Sequence, residues 1–175
     1  MSADTAASQP NEWKPRFNPW LIAISIMLAT IIEVLDTSVA NVSLPYIAGN
    51  LSASTDEATW VLTSYLLSNA IILPATNWLG QVFGRKRFLI GCITLFTIAS
   101  ALCGIAGSLG FLIMARVIQG AAGGALMPIS QAVLMESFPP AKRGVAMAVF
   151  TMGIVVAPIL GPIIGGWLTY NYSWR

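Results

Sequence analysis

The sequence predicts an all-α integral membrane chain with about five transmembrane helices, on three observations. Apolar residues make up 56% of the chain and charged residues only 9%, against roughly 25% charged in a soluble domain. Five apolar stretches, over residues 20–48, 58–81, 88–107, 110–134 and 144–170, are separated by short connections. Each is long enough to cross a bilayer, which takes about 20 residues at 1.5 Å of rise per residue. Most of the Lys and Arg residues then fall on one side of the spans.

The N-terminal "MSADTAASQPNEWKPRF" is polar, so residues 1–18 are expected to form a disordered cytoplasmic tail and residues 19–175 the membrane bundle. The first apolar stretch follows a basic flank, as a signal peptide would. It runs well past a signal's length and has no small-residue cleavage site, which makes it a retained first span. Pro45 is expected to loosen its outer end. The second span ends at Gly80 and Gly84 in "NWLGQVFGRKRFL", where the chain turns through Arg85, Lys86 and Arg87. The third holds both cysteines, Cys92 and Cys103. Their spacing suits neither a metal nor a redox pair, and they read as small buried hydrophobes. The tight turn "AGSLG" leads into the fourth span.

The fifth span contains "GIVVAPILGPIIGG", residues 153–166, with two prolines and four glycines inside a run that is otherwise hydrocarbon. In water a proline in a helix interior costs about 3 kcal/mol. Gly153, Ala157, Gly161 and Gly165 recur every four residues and form a smooth stripe for backbone-to-backbone approach. Pro158 and Pro162 each follow one of them and each free a carbonyl, bending the helix where neighbours or water can satisfy it. Five spans put the two ends on opposite sides, and the chain stops at "NYSWR" with no polar tail, so it is expected to be truncated after the fifth span.

Lys14 and Arg16 precede the first span, Arg85, Lys86 and Arg87 follow the second, and Lys142 and Arg143 follow the fourth; the opposite side carries Asp56 and Glu57. The positive-inside rule makes the N-terminus cytoplasmic. Trp13 and Trp20 near one face, and Trp167, Tyr170, Tyr172 and Trp174 near the other, fit the aromatic belts of the two interfaces.

Inside the membrane, three charges remain: Glu33 and Asp36 in the first span and Arg116 in the fourth. Each costs a few kcal/mol if left alone at mid-bilayer. Glu33 and Asp36 are three residues apart and share a helix face. Counting 1.5 Å per residue puts Asp36 about 24 Å from one interface and Arg116 about 9 Å from the other, depths that agree within a turn across a core near 30 Å. An ion pair or a shared water cavity is within their reach. The residues alone also allow a salt bridge that only holds helices together, but ionisable groups at this depth mark ion or substrate pathways. Thr37 and Ser38 fit either cavity lining or helix-helix hydrogen bonding, whereas Asn41 fits cavity lining better. Cations beside the helix end at Gly84, Arg85 and Lys86 fit a gate that exchanges carboxylate partners, or simply a basic loop.

Four stretches resemble signature motifs of the major facilitator superfamily, in particular the fourteen-span drug:proton antiporters of the EmrB/QacA type. "LDTSVANVSLP" is similar to the first-span motif, with Asp36, Asn41 and Pro45 at matching places, and "LIMARVIQGAAGGAL" to the fourth-span motif through Arg116, Gln119 and Gly120. "GIVVAPILGPIIGG", including Gly166, resembles the antiporter motif of the fifth span, which symporters of the superfamily generally lack. In the loop motif Gly84, Arg85 and Lys86 match, while Asn77, Gln81 and Val82 replace a glycine, an aspartate and an arginine. The resemblance implies most of an N-terminal six-helix bundle that, as part of a longer protein, exports hydrophobic or cationic drugs in exchange for protons across a bacterial inner membrane. It implies proton coupling by Asp36 and Arg116 and a fifth-span motif that helps fix the direction of exchange. The residues themselves add Glu33 as the next candidate proton site, Asn41, Thr37 and Gln119 as cavity lining, and the fifth-span stripe as a flexible, sliding, proton-tight contact between helices of the two halves. A periplasmic adaptor and an outer-membrane channel are implied partners. The proton gradient supplies the energy and no cofactor, metal or nucleic acid is expected. An enzyme is not expected either, because the chain has no histidine and no nucleophile-base arrangement. A proton symporter and a membrane subunit that transports nothing are the rival readings.

Overall fold

The computed structural model describes residues 18–172. Residues 1–17 of the tail expected over residues 1–18, with Trp13, Lys14 and Arg16, lie outside the described residues, as do Trp174 and Arg175. Asn18, the last residue assigned to that tail, is the N-cap of the first helix: its Oδ1 accepts a hydrogen bond from the Trp20 amide at 3.0 Å.

Six α-helices follow: α1 Pro19–Asn50, α2 Thr55–Ile72, α3 Thr76–Phe83, α4 Arg85–Gly104, α5 Leu109–Ser137 and α6 Arg143–Asn171. They make five segments long and apolar enough to cross a membrane, with α2 and α3 sharing one. The expected spans are therefore all present, four of them extended by a few residues at both ends, while the third, expected over 88–107, is shifted to Arg85–Gly104.

The second span departs from the expected single helix. A 3-10 turn over Leu73–Ala75 separates α2 from α3, because Pro74 has no amide hydrogen to continue the α-helical ladder. Gly80 does not end a helix, contrary to expectation. It lies inside α3, buried against α5, where a Cβ would come within 2.8 Å of Ile129 Cδ1. Pro45, Pro158 and Pro162 sit inside helices that continue through them. At the turn between α1 and α2, Ser54 and Glu57 form a capping box. The Ser54 amide donates to Glu57 Oε2 at 2.8 Å and the Glu57 amide donates to Ser54 Oγ at 3.2 Å. The acids that mark this face in the sequence thus also start α2.

The most buried helix is α5, which packs against α2, α4 and α1; α6 lies mainly along α1. Two apolar clusters fill the bundle. One gathers Ile26, Tyr65, Phe96, Leu126, Phe138 and Phe150, and the other Ile47, Val61, Cys103, Leu112 and Ala115. On α1 the first cluster takes residues before Glu33 and the second residues after Asp36; on α5 they lie on either side of Arg116 and Gln119. The intramembrane charges therefore occupy a polar layer between two apolar ones. Both cysteines are buried, as expected. At one end of the bundle, Trp20 of α1 packs edge-on against Phe138 beyond α5, with ring centroids 5.1 Å apart.

Gly84 separates α3 from α4 with φ +82° and ψ 128°, a backbone region that residues with a Cβ occupy only under strain. No atom lies within 4 Å of where its Cβ would be, so the requirement is conformational and not steric. Gly84→Ala should cost about 1 to 3 kcal/mol, read as a lowered thermal unfolding midpoint of the full-length protein in detergent. An unchanged midpoint would contradict the strained turn.

Candidate functional site

The three intramembrane charges come together across α1 and α5. Arg116 Nη1 donates to Asp36 Oδ2 at 2.5 Å and to Gln119 Oε1 at 2.8 Å. Gln119 Oε1 also receives the Cys103 thiol at 3.6 Å. Arg116 and Gln119 are buried, and the Asp36 side chain is 19% exposed. Of the two arrangements the sequence allowed, the structure forms the ion pair and also sets it in the wall of a small cavity of about 140 Å³, with Ser43, Ser100 and Cys103.

Glu33 goes elsewhere. It is buried, and its Oε1 accepts the Tyr65 hydroxyl of α2 at 2.8 Å. The two acids of α1 share a face, as predicted, yet one is held by a cation and the other by a neutral donor. Glu33 borders a cavity of about 400 Å³ shared with Thr37, Asn41, Tyr65, Asn69 and Pro158. It also borders one of about 300 Å³ shared with Asn69, Gly124, Met127 and Gln131. Sites of this size hold small molecules. Thr37 and Asn41 therefore line a cavity as expected, while also bonding their own helix: Asn41 Nδ2 donates to the Thr37 carbonyl at 2.9 Å.

Gln119 does not line these cavities. It is fully buried between α4 and α5, where it positions Arg116. Its side chain points to the α4 face of α5, whereas the cavities open on the α1–α2 face. Sequence reasoning also missed Tyr65 and Asn69. Their signal was present in "LTSYLLSNAII", where Ser64, Tyr65, Ser68 and Asn69 recur at helical spacing in an apolar span. Tyr65 is seated by glycines of α5. A Cβ on Gly123 would stand 2.7 Å from Tyr65 Oη, and a Cβ on Gly120 would run into the Tyr65 carbonyl. The two helices touch at backbone level, tied further by Ser68 Oγ donating to the Val117 carbonyl at 2.7 Å.

In the loop after α3, Arg85 is ion-paired with Glu136 near the end of α5. Gln81 leaves no acid on α3, and α5 supplies one instead. The signal for Glu136 was its place as an acid on the otherwise basic face. Lys86 and Arg87 make no ion pair among the described residues.

The stripe on α6 faces α1. Ala157 is fully buried, and Cβ atoms on Gly161 or Gly165 would meet Ser38 or, at 3.1 Å, the Val39 Cα. Ser43 and Thr169 hydroxyls lie 3.1 Å apart across the same interface. The stripe is thus occupied within this bundle, not by a helix of another half as expected, because α1 offers small and β-branched residues at the same spacing. Gly166 sits beside the stripe, where a Cβ would make only ordinary contact with Val42 at 3.9 Å. Pro158 and Pro162 are exposed, Pro158 at the border of the Glu33 cavity.

A family model described as Major Facilitator Superfamily matches residues 26–175. Among curated proteins, the chain is 50% identical over 154 residues to multidrug export protein EmrB of Haemophilus influenzae. It is 46% identical over 154 residues to the protein of that name from Escherichia coli K12. It is 48% identical over 153 residues to fatty acid resistance protein FarB of Neisseria gonorrhoeae. These matches cover 87% to 88% of the chain, which spans about 30% of the length of each relative.

The α1–α6 contact is open to test. Gly161→Leu puts a side chain onto Ser38, and overpacking of about 1 to 3 kcal/mol should lower the unfolding midpoint of the full-length protein. Gly144→Leu, at a helix position with nothing within 4 Å of its Cβ, should leave it unchanged. Equal midpoints for the two variants would mean that α6 does not pack on α1 through the stripe.

Proposed function

The chain belongs to the major facilitator superfamily, and we propose that the full-length protein of which it is a part exports hydrophobic or cationic toxic compounds in exchange for protons. The ion pair of Asp36 with Arg116, held between two apolar layers, carries this reading. A carboxylate at that depth is stable only while its charge is compensated. Arg116 and a proton are the two compensations available, and they compete for the same oxygens. Protonation releases Arg116 from Asp36 and weakens the tie between α1 and α5. Deprotonation restores it. Because α1 also lies on the α6 stripe, with Val39 and Ser43 both bordering the Asp36 cavity and meeting α6, a shift of α1 is passed to a contact of small side chains. Such a contact can move without the interlocking of larger residues.

The compound would bind in the cavities bordered by Glu33, Thr37, Asn41, Tyr65 and Asn69. Glu33 offers a carboxylate to a cationic group, while Leu66, Met127 and Pro158 offer apolar surface that adapts to differing shapes. The proton gradient supplies the energy, with no cofactor and no chemical step. Arg85 and Glu136, at the loop face, act as the partner-exchanging gate. The protein sits in a bacterial inner membrane and works with a periplasmic adaptor and an outer-membrane channel.

In everted membrane vesicles energised by respiration, the full-length protein should accumulate a fluorescent cationic dye, and collapse of the proton gradient should release it. Asp36→Asn should insert normally and lose at least tenfold of this gradient-driven uptake. Arg116→Ala should reduce the yield of folded protein, since breaking a buried pair costs about 3 to 5 kcal/mol. Normal uphill transport by Asp36→Asn would move proton coupling away from Asp36. Dye movement in the opposite direction would indicate symport.

The proposed orientation has the N-terminus and the Arg85–Arg87 loop in the cytoplasm. Single cysteines replacing Asp56 and Lys86 should then label oppositely in intact cells with an impermeant thiol reagent, position 56 reacting and position 86 not. Reaction of both, or of position 86 alone, would overturn the orientation.

A further inference from the structure

A cavity of about 640 Å³ lies away from the intramembrane charges. It lies between α3, α4 and α5, lined by Leu79, Val82, Phe83, Leu95, Ala121 and Ala122. Its floor is low because small residues line it. Gly91 also borders it, and nothing lies within 4 Å of where a Gly91 Cβ would be. Its length is set by the helices. From Arg87 to Leu95 along α4 is eight residues, about 12 Å, and from Phe83 back to Ile72 is about 16 Å. Half of a hydrocarbon core near 30 Å is about 15 Å, so the groove runs from the interface at the basic loop to near mid-membrane, the depth of one leaflet.

The groove has one charged lining residue, Arg87, at its mouth. Arg87 also borders the adjoining loop cavity together with Lys86, Arg85 and Glu136. Arg85 is already paired with Glu136, whereas Arg87 and Lys86 are exposed and make no ion pair among the described residues. An apolar slot one leaflet deep with uncompensated cations at the interface has the two-part chemistry of an anionic phospholipid. We propose that this groove holds an acyl chain of an anionic phospholipid from the leaflet next to the basic loop, with its phosphate at Arg87 and Lys86. A packed helix from elsewhere in the protein would fill the apolar part but would have to carry an acid to compensate Arg87. The site is separate from the transport cavities and does not depend on what the protein carries.

The test uses the full-length protein released from bilayers of equal parts phosphatidylglycerol and phosphatidylcholine, with retained lipids counted by native mass spectrometry. Wild type should retain phosphatidylglycerol at least fivefold over phosphatidylcholine. Arg87→Gln should reduce that preference severalfold while leaving some lipid of either kind. Gly91→Phe, which puts a ring into the slot from a position whose Cβ meets no neighbour, should remove most retained lipid of both kinds. Equal retention of the two lipids by wild type would overturn the proposal. So would an undiminished preference in Arg87→Gln, which, being a surface change, remains informative if Gly91→Phe fails to fold. Lipid retention insensitive to both variants would mean that another part of the protein covers the groove.

Discussion

A charge in hydrocarbon must be compensated, and in this bundle that requirement fixes the register of α1 against α5. Asp36 and Arg116 are 80 positions apart in sequence and meet at 2.5 Å. A slip of one helical turn would move either group by about 5.4 Å and leave two unpaired charges, at a cost of several kcal/mol. With the register fixed, other pairs fall into place. Thr30 of α1 comes within 3.3 Å of Ser130 of α5, and Glu33 reaches Tyr65 of α2. The apolar clusters on either side exclude water and keep the layer between them at low dielectric, where pairing matters most.

Lipid tails are as apolar as leucine, so burial gives little drive for helix association in a membrane, and close packing of small residues takes its place. The bundle uses this device twice. Gly120 and Gly124 let the α5 backbone touch the carbonyl side of α2, while Gly153, Ala157, Gly161 and Gly165 let α6 lie against α1. Each interface adds a polar tie, Ser68 to the Val117 carbonyl in one and Ser43 to Thr169 in the other. Helix α1 takes part in both the charged layer and the small-residue contact, so a change in charge can reach α6 through it.

The two ion pairs of the described residues differ in kind. Arg85 and Glu136 have side chains 34% and 58% exposed, and an exposed pair contributes about 0 to 1 kcal/mol. Exchange of partners there is cheap, which suits a contact at the end of the bundle. Asp36 and Arg116 are 19% and 9% exposed. Their separation is costly unless a proton takes the place of the cation, which suits a coupling site.

The sequence by itself determined the membrane class, the five spans and the presence of three intramembrane charges, because hydropathy and the cost of charge in lipid act on each residue without reference to its neighbours. It also marked the α6 stripe, since a four-residue spacing of small side chains is a local property of a helix. What it could not determine was which helix each face would meet. The stripe meets α1, Gln119 turns inward to hold Arg116, Gly80 packs on α5 inside a continuing helix, and Glu136 supplies the acid that the loop lacks. Tyr65 and Asn69 became part of the site only when α2 settled into the glycine face of α5. Partner choice depends on the simultaneous fit of several helix surfaces, which periodicity along one strip of sequence does not encode, and so it was decided by the tertiary structure alone.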